Sequence, residues 1–232
     1  MSYYSIILPA YNEEGTIETA IGETVSFFDS LGESYEVLVV DDGSTDHTSL
    51  IVKRLAKTVS ALRLIRHAHN QGKGAAVRTG VTQAKGEFLL FLDCDLSTHP
   101  SEFKKCLPYL ATHDILIGSR RVRGARVVEP QPWYRTFLGR CFNFWIRHYL
   151  GLPYHDTQCG FKVFRKKTVK PLFECLMSTG WAFDVELIVR ARKAGLKIKE
   201  IPVIWYHGRE TRVRLKDFWK IVKEIHKIKH ID

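Results

Sequence analysis

The sequence predicts an α/β protein with a mostly parallel, doubly wound central sheet flanked by helices. Three observations point there. Apolar runs of strand length alternate with segments of helical spacing. The runs end in polar clusters rich in acids, where ligands of such sheets bind. One run, Phe88, Leu89, Leu90, Phe91 and Leu92, is apolar throughout, as a strand buried on both faces must be.

The elements follow in order. Tyr4 to Leu8 reads as the first strand, and Glu13 to Leu31 as a helix with Ile17, Ile21, Val25 and Phe28 on one face. Tyr35 to Val40 is the second strand, ending in Asp41 and Asp42. Asp46 is placed to cap a helix running through Lys57. Leu62 to Ile65 is a third strand, Lys73 to Ala84 a third helix, residues 87–92 a fourth strand and Ile115 to Gly118 a fifth. Ile201 to Tyr206 reads as the last strand. Neither an internal repeat nor a low-complexity linker interrupts the chain, so residues 1–232 are expected to form one domain. Within it, the expected divisions are residues 1–120, where the strand-end polar clusters gather, 121–206, and 207–232, a basic amphipathic helix.

Hydrophobic residues make up 45% of the 232, ample for a core, so global disorder is not expected. The five cysteines, Cys94, Cys106, Cys141, Cys159 and Cys175, are odd in number and lack C-x-x-C spacing. They read as reduced thiols of a cytosolic protein, neither a disulfide framework nor a zinc site. The start of the sequence is not expected to be a signal peptide, and no apolar run reaches the ~18 residues needed to span a bilayer. The formal charge of +10 suits phosphate-bearing substrates, an anionic membrane surface or nucleic acid. Acids gathered at successive strand ends argue against the nucleic-acid reading.

Asp93 and Asp95 stand one residue apart where the fourth strand emerges, so their carboxylates can aim at one point. Two hard oxygen donors there suit Mg²⁺ or Mn²⁺ shared with a diphosphate. The alternative is that Asp95 caps the turn before Pro100. After the first strand come Pro9, Ala10, Tyr11, Asn12, Glu13 and Glu14. Tyr11 could stack on a nucleobase while Asn12 and Glu13 hold ribose or base; a plain helix start is the other reading. Asp42 could accept hydrogen bonds from a pyrimidine N–H or ribose hydroxyls. Residues 70–76, Asn-Gln-Gly-Lys-Gly-Ala-Ala, open a helix with glycines and Lys73, a setting that attracts anions, but they are not a P-loop.

Taken together, PAYNEE at 9–14, VVDDGSTD at 39–46, NQGKGAA at 70–76 and DCD at 93–95 resemble the inverting family 2 glycosyltransferases of the GT-A fold. GSR at 118–120, DTQCGFKVF at 156–164 and WAFDVEL at 181–187 resemble its polyprenyl-phosphate branch, most of all the dolichyl-phosphate β-glucosyltransferases. The resemblance covers residues 4–206. It implies a nucleotide-diphosphate sugar donor, UDP-glucose, a polyprenyl or dolichyl phosphate acceptor and a divalent cation. It places Pro9, Ala10, Tyr11, Asn12, Glu13, Asp42, Lys73 and Asp93 around the nucleotide, with Asp95 binding the cation most directly. Cys94 departs from the usual alanine, and Ser97 replaces the glutamine of many mannosyl-phosphate relatives, which weakens the alternative of a GDP-mannose donor. A soluble saccharide acceptor is the other alternative. The chain is expected to work without the N-terminal anchor of the eukaryotic glucosyl enzymes.

A phosphate acceptor is already anionic, so a strong base is not obligatory, and Asp184 either orients or deprotonates an acceptor oxygen or positions a cationic neighbour. Asp184 and Glu186 share a face only if their stretch is extended. Ser119, Arg120, Arg121 and Arg135 are expected at the acceptor phosphate, because arginine forks match its oxygens, and Arg212 and Arg214 over the diphosphate. Gln158 is a further acceptor-side candidate, Cys159 a packed thiol and His155 a structural residue. Aromatic and arginine residues interleave over 133–150, and isoleucines and lysines over the C-terminal helix. Both stripes suit the headgroup layer at the cytosolic face of a membrane, with packing on the domain or on a homodimer partner as the alternative.

Overall fold

The computed structural model describes residues 3–128, 133–207 and 215–231, with the side chains at 133, 135 and 215–220 outside the description. Strands Tyr4–Ala10 (β1), Tyr35–Asp41 (β2) and Leu62–Arg66 (β3) lie parallel, connected through helices Ile17–Leu31 (α1) and Thr48–Leu55 (α2). Helix Lys73–Gln83 (α3) leads to Phe88–Leu92 (β4), which joins the free edge of β1. Successive strands build outward from β1 on one side and then cross to the other, so the crevice at the carboxyl ends of β1 and β4 is the switch point favoured by ligands.

Strand alternation explains the unbroken apolar runs. Ile6 and Leu8 of β1 pack with Val37, Val39 and Leu90 under α1, whereas Ile7 packs with Leu38, Val40, Leu89 and Phe91 under α3. Helix α1 starts at Ile17 rather than Glu13. Asn12 adopts φ 54°, and the Glu13 carbonyl accepts the N–H groups of Thr16 and Ile17 in a turn that precedes the helix. The N-cap position of α2 falls to His47 and not to Asp46, which stands one residue earlier and accepts the Thr48 N–H at 3.0 Å, and the helix ends at Leu55 instead of Lys57.

The later elements are Ile115–Ser119 (β5), Arg126–Val127 (β6), Trp133–Leu150 (α4), Phe161–Arg165 (β7), Lys166–Glu174 (α5), Phe183–Lys193 (α6), Ile198–Pro202 (β8), Ile204–Trp205 (β9) and Leu215–Lys229 (α7). The sheet order is β3-β2-β1-β4-β7-β5-β8. Strand β7 has no counterpart in the sequence-based expectation, and it runs antiparallel to both β4 and β5. The excursion between β5 and β7 leaves the chain at the carboxyl edge, so it re-enters the sheet backwards. Phe161 therefore pairs with Leu92, and residues 156–160 arrive beside the aspartates that follow β4.

The last strand also differs. Pro202 supplies no N–H, the chain bends at Val203, and β9 leaves the main sheet to pair with β6. The two amphipathic stripes part company. In α7, Ile221, Ile225 and Ile228 are buried in the core, each burial being worth about 1.5–3 kcal/mol. That stripe is packing, which corrects its reading as a membrane face. In α4, Ile146 is buried, yet Phe137, Leu138 and Phe144 are 60%, 62% and 66% exposed.

Candidate active site

Beyond Leu92 the chain turns sharply. The Asp93 N–H donates to the Gly160 carbonyl at 3.0 Å, the Ser97 N–H donates to Asp95 Oδ1 at 2.9 Å, and Leu96 takes φ 53°. A β-carbon at Gly160 would overlap the Asp93 carboxylate, so this close approach requires glycine. The turn brings Asp93, Asp95, Ser97 and Thr98 to one side of a cavity of about 150 Å³, faced by Arg120, Gln158, Gly160 and Trp205.

The acidic wall rests on two ion pairs, one partly buried and one fully buried. Lys73 Nζ lies 2.7 Å from Asp93 Oδ1 and donates to Oδ2 at 2.9 Å, with the rings of Phe91 and Trp181 each 5.2 Å away. Lys162, fully buried in β7, holds Asp184 Oδ1 at 2.6 Å and donates to the Cys159 carbonyl at 2.7 Å. Burial works against the Lys73 ammonium, but Asp93, Asp184 and Asp95 outweigh it and hold its pKa above the usual value. Burial raises the pKa of Asp93, and Asp95 and Asp184 add to this against the pull of Lys73. The Lys73 shift, upward against burial, reports a local excess of negative charge, which a cation would relieve.

The opposite wall is basic. Arg120 Nε and one terminal nitrogen form a fork on the buried Asp156 at 2.6 and 2.9 Å, and the Arg120 backbone N–H donates to the same carboxylate at 3.1 Å. The guanidinium stands 5.4 Å from the Trp205 ring centroid. Burial opposes both charges, yet the pairing wins: the Arg120 pKa is raised and the Asp156 carboxyl is held below its ordinary value. Trp205 itself is fixed by a bridge to Thr98 and by the Tyr206 N–H donating to the Ser97 carbonyl at 2.8 Å. Cys159 is buried, and burial pushes its thiol up to about 11, as a packed rather than nucleophilic residue requires.

Of the residues expected from sequence, Asp93, Asp95, Arg120 and Gln158 line this cavity, and Lys73 reaches it through Asp93. Asp42 is buried, and its carboxylate lies 2.7 Å from His67 and accepts the N–H groups of Gln71 and Gly72 at 2.9 and 2.8 Å, so it clamps the loop ahead of α3. Asn12 and Glu13 tie the loop after β1 to the loop after β2: the Asn12 N–H donates to Ser44 Oγ at 2.9 Å and the Glu13 N–H to Thr48 Oγ1 at 2.8 Å. Tyr11 stays exposed beyond the buried Pro9 and Ala10.

Ser119 is fully buried, and its hydroxyl accepts the Arg121 N–H at 3.4 Å, so it braces the arginine segment. The stretch holding Asp184 is helical, so Asp184 and Glu186 diverge: the former is buried on Lys162, the cationic neighbour that one of the two expectations called for, and the latter accepts the N–H groups of Met177 and Ser178. Arg121 extends to the Gly139 carbonyl at 3.4 Å. The side chain of Arg135, and Arg212 and Arg214 entirely, lie outside the described residues.

Trp205, Thr98, Asp156 and Lys162 were not singled out from sequence. A signal existed for Lys162, since a lysine within the apolar run Phe161 to Phe164 demands a buried carboxylate. As to a metal, no group of three or more His, Cys, Asp or Glu side chains suited to hold one occurs among the described residues. The donor set nevertheless fits Mg²⁺ or Mn²⁺: it is oxygen-only and in negative excess, and such ions take most of their ligands from substrate phosphates and water. Asp95 is the available carboxylate, because Asp93 is straddled by Lys73.

Glycosyl transferase family 2 matches residues 5–173. Two dolichyl-phosphate beta-glucosyltransferases are similar over most of the chain. That of Trichomonas vaginalis is 32% identical over 235 residues, covering 96% of this chain and 69% of the relative. That of Drosophila melanogaster is 36% identical over 215 residues, covering 87% and 66%. The chain thus spans about two thirds of these relatives' length. The crystal structure of glucosyl-3-phosphoglycerate synthase from Mycobacterium tuberculosis, with Mn²⁺, UDP-glucose and phosphoglyceric acid, superposes with a TM-score of 0.71. It is 20% identical, and the match covers 100% of this chain and 81% of that one, which establishes a shared GT-A fold.

Proposed function

Since this chain belongs to glycosyl transferase family 2 and is therefore a hexosyltransferase, we propose that it transfers glucose from UDP-glucose, with inversion, to a polyprenyl or dolichyl phosphate at the cytosolic face of a membrane. The observation that carries the reading is one cavity with an acidic wall at Asp93 and Asp95 and a guanidinium wall at Arg120. The relatives' names supply the sugar and the lipid acceptor; the two walls supply the chemistry.

The reaction forms a bond from an acceptor phosphate oxygen to the anomeric carbon as the bond to the diphosphate breaks. An anionic phosphate needs no proton removed, which agrees with the burial of Asp184 on Lys162. Asp95 would hold a divalent cation, which when bound neutralises charge on the departing diphosphate. Lys73 fixes Asp93, and so the backbone of the turn that presents Asp95. Arg120 is locked by Asp156 and Trp205, so its guanidinium meets an oxyanion without first losing rotamer freedom. Gln158, carried on the loop ahead of β7, faces the same space from the acceptor side. Tyr11 offers an exposed ring for the base of the donor.

The test is transfer of labelled sugar from UDP-glucose or GDP-mannose, with Mg²⁺ or Mn²⁺, to a short polyprenyl phosphate, following label into organic solvent. Metal-dependent labelling from UDP-glucose that Asp95→Ala abolishes is the expected result. Labelling from GDP-mannose alone would replace the donor. Label found only on water-soluble products would replace the acceptor.

A further inference from the structure

Helix α4 carries two apolar stripes with the same spacing. Phe142, Asn143, Ile146, Tyr149 and Leu150 turn inward: Ile146 and Asn143 are buried, and the other three are partly buried. Phe137, Leu138, Cys141 and Phe144 form the outer stripe and are exposed, and Trp145, 36% exposed at its edge, stacks on Phe142 and Tyr149 at 5.7 and 5.4 Å. A helix apolar on both faces normally has both covered, so the outer stripe calls for a partner.

The charge around the stripe selects the partner. Arg121, Arg123, Arg126 and Arg140 are exposed nearby in the chain, and the sequence from Ile115 to Tyr149 contains one acid, Glu129. Partial burial, and then repulsion from Arg120, Arg140 and Arg147, hold the Arg121 pKa below its usual range despite the pull of Asp156. Arg120 spends its charge on Asp156, and Arg121 and Arg140 stay exposed beside the stripe. Exposed aromatic and aliphatic side chains set among them match a headgroup layer, where rings sit at the boundary and guanidinium groups meet phosphates. No helix among the described residues is long and apolar enough to cross a membrane, so the stripe would lie in the interface rather than span it.

We infer that the outer face of α4, centred on Phe137, Leu138 and Phe144, with Trp145 at its edge and flanked by Arg140, docks into the headgroup layer of an anionic bilayer. Docking there also orients the enzyme. Arg121 bonds the Gly139 carbonyl on α4, and its neighbour Arg120 lines the cavity, so the segment that grips the membrane helix also reaches the reaction site. The inference rests on the lipid-phosphate reading above, and it assigns the surface through which that acceptor is met. The isoleucine stripe of α7 has no part in it, being core.

The test is flotation of the full chain with vesicles of phosphatidylcholine alone or mixed with phosphatidylserine, alongside transfer to a short, water-soluble prenyl phosphate. The triple variant Phe137→Ser, Leu138→Ser, Phe144→Ser is expected to reduce binding to mixed vesicles by about tenfold or more, while leaving transfer to the short acceptor unchanged. Leu50→Ser, an equally exposed apolar position on α2, is expected to float as the parent does. Arg140→Glu is expected to remove the preference for phosphatidylserine, and because it leaves the apolar stripe intact it guards against misfolding of the triple variant. Parent protein that transfers to the short acceptor but floats on neither vesicle would overturn the docking and leave the function standing. Flotation without any transfer would overturn the function instead, leaving α4 as a lipid-binding face. A concentration-dependent dimer that the triple variant abolishes, with no flotation, would make this face a contact between two copies and sink the proposal.

Discussion

The two walls of the cavity hold their charges in different ways. On one, Asp93, Asp95 and Asp184 are gathered around Lys73, while Lys162 neutralises Asp184 from beneath. On the other, Arg120 and Asp156 pair one to one in a bidentate fork. The first wall is left short of positive charge and the second is balanced. A short wall can recruit a cation along with a diphosphate; a balanced one can only orient the arginine it contains. Under the proposed function, the difference would give donor activation to the turn after β4 and acceptor positioning to the segment after β5.

The largest effect should come from unbalancing the balanced wall. Asp156→Asn leaves a partly buried guanidinium without its counter-charge, at a cost of about 3 kcal/mol in unfolding free energy, measurable by urea titration. A loss below 1 kcal/mol would mean that solvent, not Asp156, neutralises Arg120. Next comes Gly160→Ala. Its β-carbon meets the Asp93 carboxylate, so it should cost about 1–3 kcal/mol by overpacking and lower transfer more than it lowers stability, because the turn bearing Asp95 must shift. Unchanged transfer would show that the turn tolerates displacement.

The smallest effect is a pH dependence. The Asp156 carboxyl titrates below its ordinary value in the folded protein. Its contribution to stability is therefore complete above the unfolded carboxylate pKa of about 3.9 and is lost as pH falls through the lower folded value. Glu36, bonded to Ser5, the Lys85 N–H and Arg63, is shifted in the same direction despite its burial. Acid unfolding followed from pH 5 to pH 2 should show the parent losing stability below roughly pH 4, with a shallower slope in Asp156→Asn. Equal slopes would remove Asp156 from the account.

The contrast between the walls also marks what the sequence could say. The parallel half was legible because both faces of β1, β2 and β4 are covered, which writes unbroken apolar runs ending in polar clusters. Strand β7 was hidden because Lys162 interrupts its apolar pattern, and the partner that permits that charge, Asp184, lies 22 positions away. The bend at Val203, which sends Trp205 into the cavity, depends on pairing with β6 and Thr98, and such register cannot be read locally. For the same reason Asp93, Asp95, Arg120 and Gln158 could be singled out as chemistry-bearing residues, whereas the contacts of Asp42 with the loop ahead of α3 and of Asp184 with Lys162 join positions that only the fold brings near.

The division between the walls can be tested directly by calorimetric titration of UDP-glucose, with and without Mn²⁺, into the parent, Asp95→Asn and Arg120→Lys proteins. Arg120→Lys keeps the charge but loses the fork. The account predicts that Asp95→Asn abolishes the gain in donor affinity due to Mn²⁺, while Arg120→Lys retains that gain and instead raises the KM for the acceptor phosphate. Equal loss of the Mn²⁺-dependent gain in both variants would contradict it, and would make the two walls a single donor site.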